Sequence, residues 1–483
     1  MKRTEEIRDR WLALCLMTIF FLAAAWLRLY HLGFYSLWLD ESHTWLFARS
    51  SWEQFLPALR LTGVHPPFYF FIEKLIVGLL GDSEWNLRIF SVVANLAALM
   101  LASWLGWQVG GIGGMLAAGW FWAFNPFTLW YAQDARPYAL VALLSLVTLI
   151  LSRKIRTRQT PALMLLAGLA LMLGLVTHFF FFLPLGALIL LALLQMHQSP
   201  RLFRRWTAIS IIAMLPMALW LVWFFMLPNP SIGIGWISYP TFADPFFTFW
   251  NFLSGYGGVF SIPSTIFGIL AGFFVILGLV SGEQSLANRR LFLAGIVLPL
   301  FLTWLVSFRR PVYVDRYFIV LLPFLIPILA SGGKRVFSSI RNILPGALGW
   351  SLVAAILVSV GIFNAWQVHA DVKYRREAWR ELASKVSAQS PAGIPIWFQQ
   401  PESAVPFEYY FREPYPLIDA AEPPACAQPC WWILRQPYTP THAFTQSVVI
   451  PERPWLPVLP TGCSVLDRWE SPTGIGLWKV VCH

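Results

Sequence analysis

FWAFNPFTLWYAQDARPYALVALLSLVTLI, residues 121–150, decides what kind of molecule this is. An apolar run ends near residue 128 and another begins at Pro137. Between them lies a turn of about nine residues, Trp130–Tyr138, holding one acid, Asp134, and one base, Arg136. A turn this short between long apolar segments, with aromatic residues on both flanks, is the signature of a membrane hairpin. Asp134 and Arg136 would then stand at the bilayer edge, either as a simple salt bridge or as parts of a site.

The rest of the chain agrees. Of its 483 residues, 57% are hydrophobic and only 12% charged, whereas soluble proteins hold about 25% charged residues. Apolar stretches near the ~20 residues needed to cross a bilayer fall at 12–31, 86–106, 110–128, 137–152, 161–177, 180–196, 206–227, 264–281, 291–307, 317–331 and 345–366. A further run, 66–80, opens with Pro66-Pro67 and carries Glu73 and Lys74, and reads as re-entrant or interfacial. Gly110–Gly114 has the spacing of close helix packing. The expected fold is an all-α polytopic membrane protein with about 11 transmembrane helices.

Charge sets the expected orientation. Residues 1–366 hold 25 Lys+Arg and 13 Asp+Glu, while 367–483 hold 10 and 11. Basic clusters at 2–10, 153–158, 201–205, 289–290 and 334–341 fall on one side if 66–80 does not cross. By the positive-inside rule that side is cytoplasmic. The N-terminus is then cytoplasmic, in a bacterial inner membrane, and the more polar 367–483 forms a small extracytoplasmic α/β domain. The basic excess sits in membrane turns, which argues against nucleic acid as a partner. No small-residue cleavage site follows the first apolar run, so it reads as an anchored helix and not a signal peptide. In the tail, Lys373–Gln389 reads as an amphipathic helix, and Ile394–Phe398 and Val448–Ile450 as short strands. Cys426, Cys430, Cys463 and Cys482 all lie there. On an oxidising face they are disulfide candidates, Cys426–Cys430 or Cys463–Cys482 first among three open pairings.

Acids at a membrane face are costly and point to function. Asp40 and Glu41 follow the aromatic stretch Leu37-Trp38-Leu39. They read as a proton acceptor raised by partial burial, or Asp40 or Ser42 caps a helix at 43–50. His65-Pro66-Pro67 reads as a phosphate contact or a rigid turn. Arg309, Arg310 and Arg316 stand on the outer side, against the charge trend, and suit phosphate or lipid headgroups.

These motifs together resemble the GT-C superfamily of membrane glycosyltransferases, specifically the protein O-mannosyltransferase and lipid A aminoarabinose transferase branch (family 39-like). The matching residues are Ser36–Glu41, His65-Pro66-Pro67, Tyr131–Tyr138, Asp315-Arg316-Tyr317 and Tyr374–Trp379. The resemblance covers roughly residues 10–385. It implies an inverting transferase that moves a sugar, hexose or pentose, from a polyprenyl-phosphate donor to a hydroxyl on a lipid, glycan or protein. Asp40 would be the general base, with Glu41 beside it, and Asp134 would orient the acceptor. His65, Arg136, Tyr138 and Arg316 would bind the donor phosphate. No cofactor is implied. His65 stands where related enzymes often carry Lys, which leaves a divalent metal open. The rival class is a transporter or lipid flippase, but no repeat symmetry or mid-helix charge supports it.

Overall fold

The computed structural model describes all residues except 1, 62–64, 197–198, 228–232, 256–260, 281, 283, 344–346, 371–374, 390–392, 436–458 and 483. The expected strand at Val448–Ile450 lies outside the described residues. The eleven apolar runs fall on helical segments, the two at 86–106 and 110–128 being joined directly at a sharp fold. Among the described residues, six helices are long and apolar enough to cross a membrane by length and composition. Shorter apolar helical stretches lie at Leu14–Leu29, Pro161–Leu175, Phe179–Leu193 and Ala355–Ala370.

Helix α1 (Lys2–Leu29) leads into the first loop, which carries α2 (Leu39–Arg49), α3 (Trp52–Leu61) and α4 (Phe68–Leu80). Helix α4, the run that opens with paired prolines, packs on α2. Phe47 and Phe70 meet edge to face at 5.3 Å, and Lys74 Nζ caps the end of α2 through the Ala48 and Ser50 carbonyls.

The runs at 86–106 and 110–128 form two arms of α5 (Glu84–Phe124), folded at Gly111, whose φ is 61°. Only glycine adopts that conformation without strain. The arms meet so closely that a Cβ on Gly106 would lie 2.4 Å from the Gly114 carbonyl oxygen. Gly110 and Gly113 are equally crowded by the backbone of a later helix, at Ala330 and Gly333. The glycine cluster therefore makes the turn as well as the helix packing.

Short α6 (Pro126–Ala132) closes the hairpin before α7 (Tyr138–Thr157). It is followed by α8 (Pro161–Leu175), α9 (Phe182–Leu193), α10 (Pro200–Phe225), α11 (Asp244–Ser254) and α12 (Ile262–Val280). Helices α13 (Ser285–Phe292) and α14 (Leu298–Ser307) are joined by one π-helical turn. A 3-10 segment, Asp315–Leu325, feeds α15 (Ile326–Ile343), the helix that meets Gly110 and Gly113, and α16 (Ala347–Ala370) is the last apolar helix. Arg28, fully buried in α1, ties this bundle together. It donates to Asn95 Oδ1 at 2.8 Å and to the Ala123 and Trp122 carbonyls at 2.9 and 3.0 Å.

The tail holds α17 (Trp379–Gln389), β1 (Ile396–Phe398), α18 (Ala404–Tyr410), β2 (Leu417–Ile418), β3 (Cys430–Arg435), β4 (Cys463–Glu470) and β5 (Ile475–Cys482). They form one mixed sheet ordered β2-β1-β3-β5-β4. Strand β3 is buried on both faces. Trp431 and Ile433 pack with Trp379 and Phe407 under the helices, while Trp432 and Leu434 pack with Trp397 and Trp478 on the other side. Disulfides join Cys426 to Cys430 and Cys463 to Cys482, the second across the paired ends of β4 and β5. Helix α17 begins six residues later than the expected Lys373; residues 375–378 are outside any helix or strand, with Arg376 bound at Asp134 and Glu377 at the Leu39 amide.

Candidate functional site

Trp38, Leu39 and Asp40 are the centre of the site. Helix α2 starts at Leu39 rather than at residue 43, so Asp40 lies in its first turn and is not its cap. Adjacent helical residues point about 100° apart, and the two acids separate accordingly. Asp40 is a quarter exposed, and its Oδ2 lies 3.3 Å from Arg316 Nη2. Arg136 Nη1 donates to the Asp40 carbonyl at 3.1 Å. Two guanidinium groups thus flank one partly open carboxylate. The Nε groups of both Arg136 and Arg316 are buried and have no hydrogen-bond partner among the described residues.

Glu41 points the other way and is fully buried. Its carboxylate accepts Arg88 Nε at 2.7 Å, Arg88 Nη2 at 2.6 Å and the Ala135 amide at 2.9 Å. Arg88 in turn donates to the Leu32, Tyr35 and Ser36 carbonyls. Glu41 thus turns away from Asp40, as adjacent positions of one helix must. Its oxygens are occupied, and the pair fastens the first loop, α2 and the turn at Asp134 to one another.

Asp134 does not share the open face of Asp40. It is fully buried, and its Oδ1 accepts Trp38 Nε1 at 2.9 Å and Arg376 Nη1 at 3.1 Å. Its salt bridge is to Arg376 from the tail, not to Arg136 two residues away. The Trp38 ring stands between the two acids' partners, 5.5 Å from the Arg316 guanidinium and 5.9 Å from that of Arg376.

Electrostatics alter two further expectations. Burial pushes the Asp40 carboxyl up, but Arg316, then Arg136, His43 and His65, outweigh it and hold the group below its usual value. Asp40 is thus held ionised instead of being raised. Burial, with Arg136 adding to it, drives His65 well below its usual value. His65 is neutral near pH 7 and offers a hydrogen bond rather than a positive charge. Asp134, by contrast, is pushed up by burial against the pull of Arg376.

Tyr138 lies beside this cluster, with His178 at 5.8 Å from its ring and Tyr131 at 4.9 Å. Arg316 is also flanked by Trp236 and Tyr317. Asp315 faces away, accepting from Asn251 Nδ2 at 3.1 Å. Sequence reasoning named Asp40, His65, Arg136, Tyr138 and Arg316, and in the structure these residues are neighbours. It missed His43 and His178, which lie near them, and gave no role to Arg88, Trp38 or Arg376. Among the described residues no three His, Cys, Asp or Glu side chains gather as a metal site.

The sequence matches no family model and no curated protein. The structure is similar to ArnT from Cupriavidus metallidurans in the apo state, with TM-score 0.61 and 13% identity over 96% of this chain and 97% of that one. Against ArnT bound to undecaprenyl phosphate the TM-score is 0.56 at the same identity and coverage. A looser likeness is to the archaeal oligosaccharyltransferase AglB from Archaeoglobus fulgidus in complex with an inhibitory peptide and a dolichol-phosphate. There the TM-score is 0.42 and the identity 12%, over 84% of this chain and 64% of that one. The fold expected from the loop motifs, the GT-C fold, is the fold of this chain.

Proposed function

We propose that this protein is an integral-membrane, inverting glycosyltransferase. It takes a sugar from a polyprenyl-phosphate donor and places it on an acceptor hydroxyl. The observation that carries the reading is the partly open carboxylate of Asp40, ion-paired to Arg316 and with Arg136 at its backbone carbonyl, two buried guanidinium groups whose Nε donors lack partners among the described residues. Buried donors in native proteins are nearly always paired, and clustered guanidinium groups fit phosphate oxygens. The ArnT structure solved with undecaprenyl phosphate supports the donor class.

The chemistry follows from the placement. The acceptor hydroxyl gives its proton to Asp40 as its oxygen attacks the anomeric carbon. The carbon–oxygen bond to phosphate breaks on the opposite face, and its electron pair leaves with the polyprenyl phosphate. Arg136 and Arg316 meet the charge that develops there, where preorganised donors lower the barrier most. His65 adds a neutral N–H. Binding a phosphate to the same two arginines draws their charge away from Asp40 and makes it a stronger base in the loaded enzyme. Glu41–Arg88 and Asp134–Arg376 hold the scaffold.

On this reading transfer occurs on the extracytoplasmic face, with the N-terminus cytoplasmic and 367–483 outside, which the basic clusters of the membrane turns support. Membrane vesicles holding the protein, given radiolabelled undecaprenyl-phosphate hexoses and pentoses, test the reading. Label passing to an acceptor supports it. Movement of intact donor across the vesicle wall without transfer would instead indicate a flippase.

A further inference from the structure

Helix α2 caps only part of its own first turn: Glu41 Oε2 accepts the Trp38 amide at 3.4 Å, and the Leu39 amide is left to a partner from elsewhere. Its N-cap residue is Trp38, whose side chain makes no capping hydrogen bond, and the first turn of any helix leaves amide donors unpaired. The acceptor arrives from the tail. Glu377 Oε2 takes the Leu39 amide at 3.1 Å and the Trp379 indole N–H at 2.7 Å. Its other oxygen is held by Arg435 Nε, in β3, at 2.8 Å. The carboxylate is buried and fixed from three sides. One residue earlier, Arg376 takes Asp134 and the Gln133 carbonyl and lies 4.2 Å over the Trp130 ring. Trp38 and Leu39, the two residues before Asp40, are thus both held by the tail.

We propose that Glu377 is a positioning residue. Anchored to the soluble sheet by Arg435, it caps α2 and fixes where the Asp40 carboxylate stands against Arg316. A negative group at this end also suits the helix dipole. The inference rests on the reading of Asp40 as the base. Losing Glu377 frees the first turn, and a displacement of about 1 Å at a reacting group costs up to ~10²-fold in rate.

The test uses the full chain in nanodiscs. The ionisation of Asp40 is followed by infrared difference titration, wild type minus Asp40→Asn. It is paired with the pH–rate profile of single-turnover transfer from labelled undecaprenyl-phosphate sugar, and with binding of undecaprenyl phosphate alone. Glu377→Ala should slow transfer by about 10- to 100-fold, move the Asp40 titration and the acid limb to higher pH, and leave undecaprenyl phosphate binding unchanged. Glu377→Gln keeps an acceptor for the Leu39 amide and should recover part of the loss. If Glu377→Ala fails to fold, Glu377→Gln, which keeps the volume, and Trp379→Phe, which removes the indole N–H to Glu377 at the cost of a smaller ring, carry the same readouts. A variant that loses thermal stability while the Asp40 titration and acid limb stay in place would reduce Glu377 to a structural tie. Normal turnover in Asp40→Asn would remove the base itself. An inactive Asp40→Asn beside an unmoved limb in Glu377→Ala would remove only the positioning role.

Discussion

Two neighbouring acids should respond to mutation in opposite ways, and Glu41→Ala shows this most sharply. In the native protein the Glu41 carboxylate meets Arg88 through two hydrogen bonds, at 2.6 and 2.7 Å, with both side chains at most 2% exposed. Removing the acid leaves a buried guanidinium without its counter-charge. Breaking such a pair from one side costs about 3–5 kcal/mol. The Ala135 amide loses its acceptor as well, and an orphaned buried donor costs roughly 1–3 kcal/mol. These terms overlap, so the expected loss is about 3–5 kcal/mol, a large part of the ~5–15 kcal/mol that holds a typical domain. Thermal unfolding of purified protein in detergent, followed by size-exclusion fluorescence, measures it. The double variant Glu41→Leu, Arg88→Met removes both charges and should recover part of the loss, though not the contacts of Arg88 to three loop carbonyls. A Glu41→Ala protein that unfolds at the wild-type temperature would refute the assignment of Glu41 to the scaffold.

Other outcomes follow from the same geometry. Arg136→Ala and Arg316→Ala should each weaken undecaprenyl phosphate binding by ~1.5–3 kcal/mol, roughly tenfold to over a hundredfold. Unchanged affinity in both, measured by equilibrium binding in nanodiscs, would take them out of the phosphate site. Because the arginines hold Asp40 below its usual value in the unloaded enzyme, kcat/KM for the donor should persist as pH falls through the ordinary carboxylate range near ~4. Arg316→Gln removes the strongest of those opposing charges, so its acid limb should move to higher pH; a limb that stays put would mean that Asp40 does not titrate in the rate. Reporter fusions after Arg158 and after Gln367 should report opposite sides, cytoplasmic and extracytoplasmic. Cytoplasmic activity at the second would overturn the orientation.

The long apolar runs and a small C-terminal sheet domain were legible because each rests on a local pattern. Apolar length marks a helix, and charge marks where it ends. The fold-back at Gly111 was less legible, since a glycine cluster serves helix packing and a sharp turn alike. Strand β3 escaped notice because Cys430–Arg435 is buried on both faces and shows no alternation. The partners of the acids were illegible for a different reason. Arg88, Arg376 and Glu377 lie 47, 242 and 338 positions from the groups they bind. No spacing rule reaches that far. Proximity in sequence misled at Asp134, whose salt bridge is to Arg376 rather than to Arg136. The effect of burial on Asp40 was likewise readable, but the two guanidinium groups that reverse it were not.

The claim on which the account turns is that Asp40 accepts the acceptor's proton. Asp40→Asn keeps the shape of the side chain and removes its basicity. Its single-turnover transfer from a labelled undecaprenyl-phosphate sugar should fall by ~10²–10⁴, while undecaprenyl phosphate still binds at the arginines. Transfer at the wild-type rate in Asp40→Asn would contradict the mechanism.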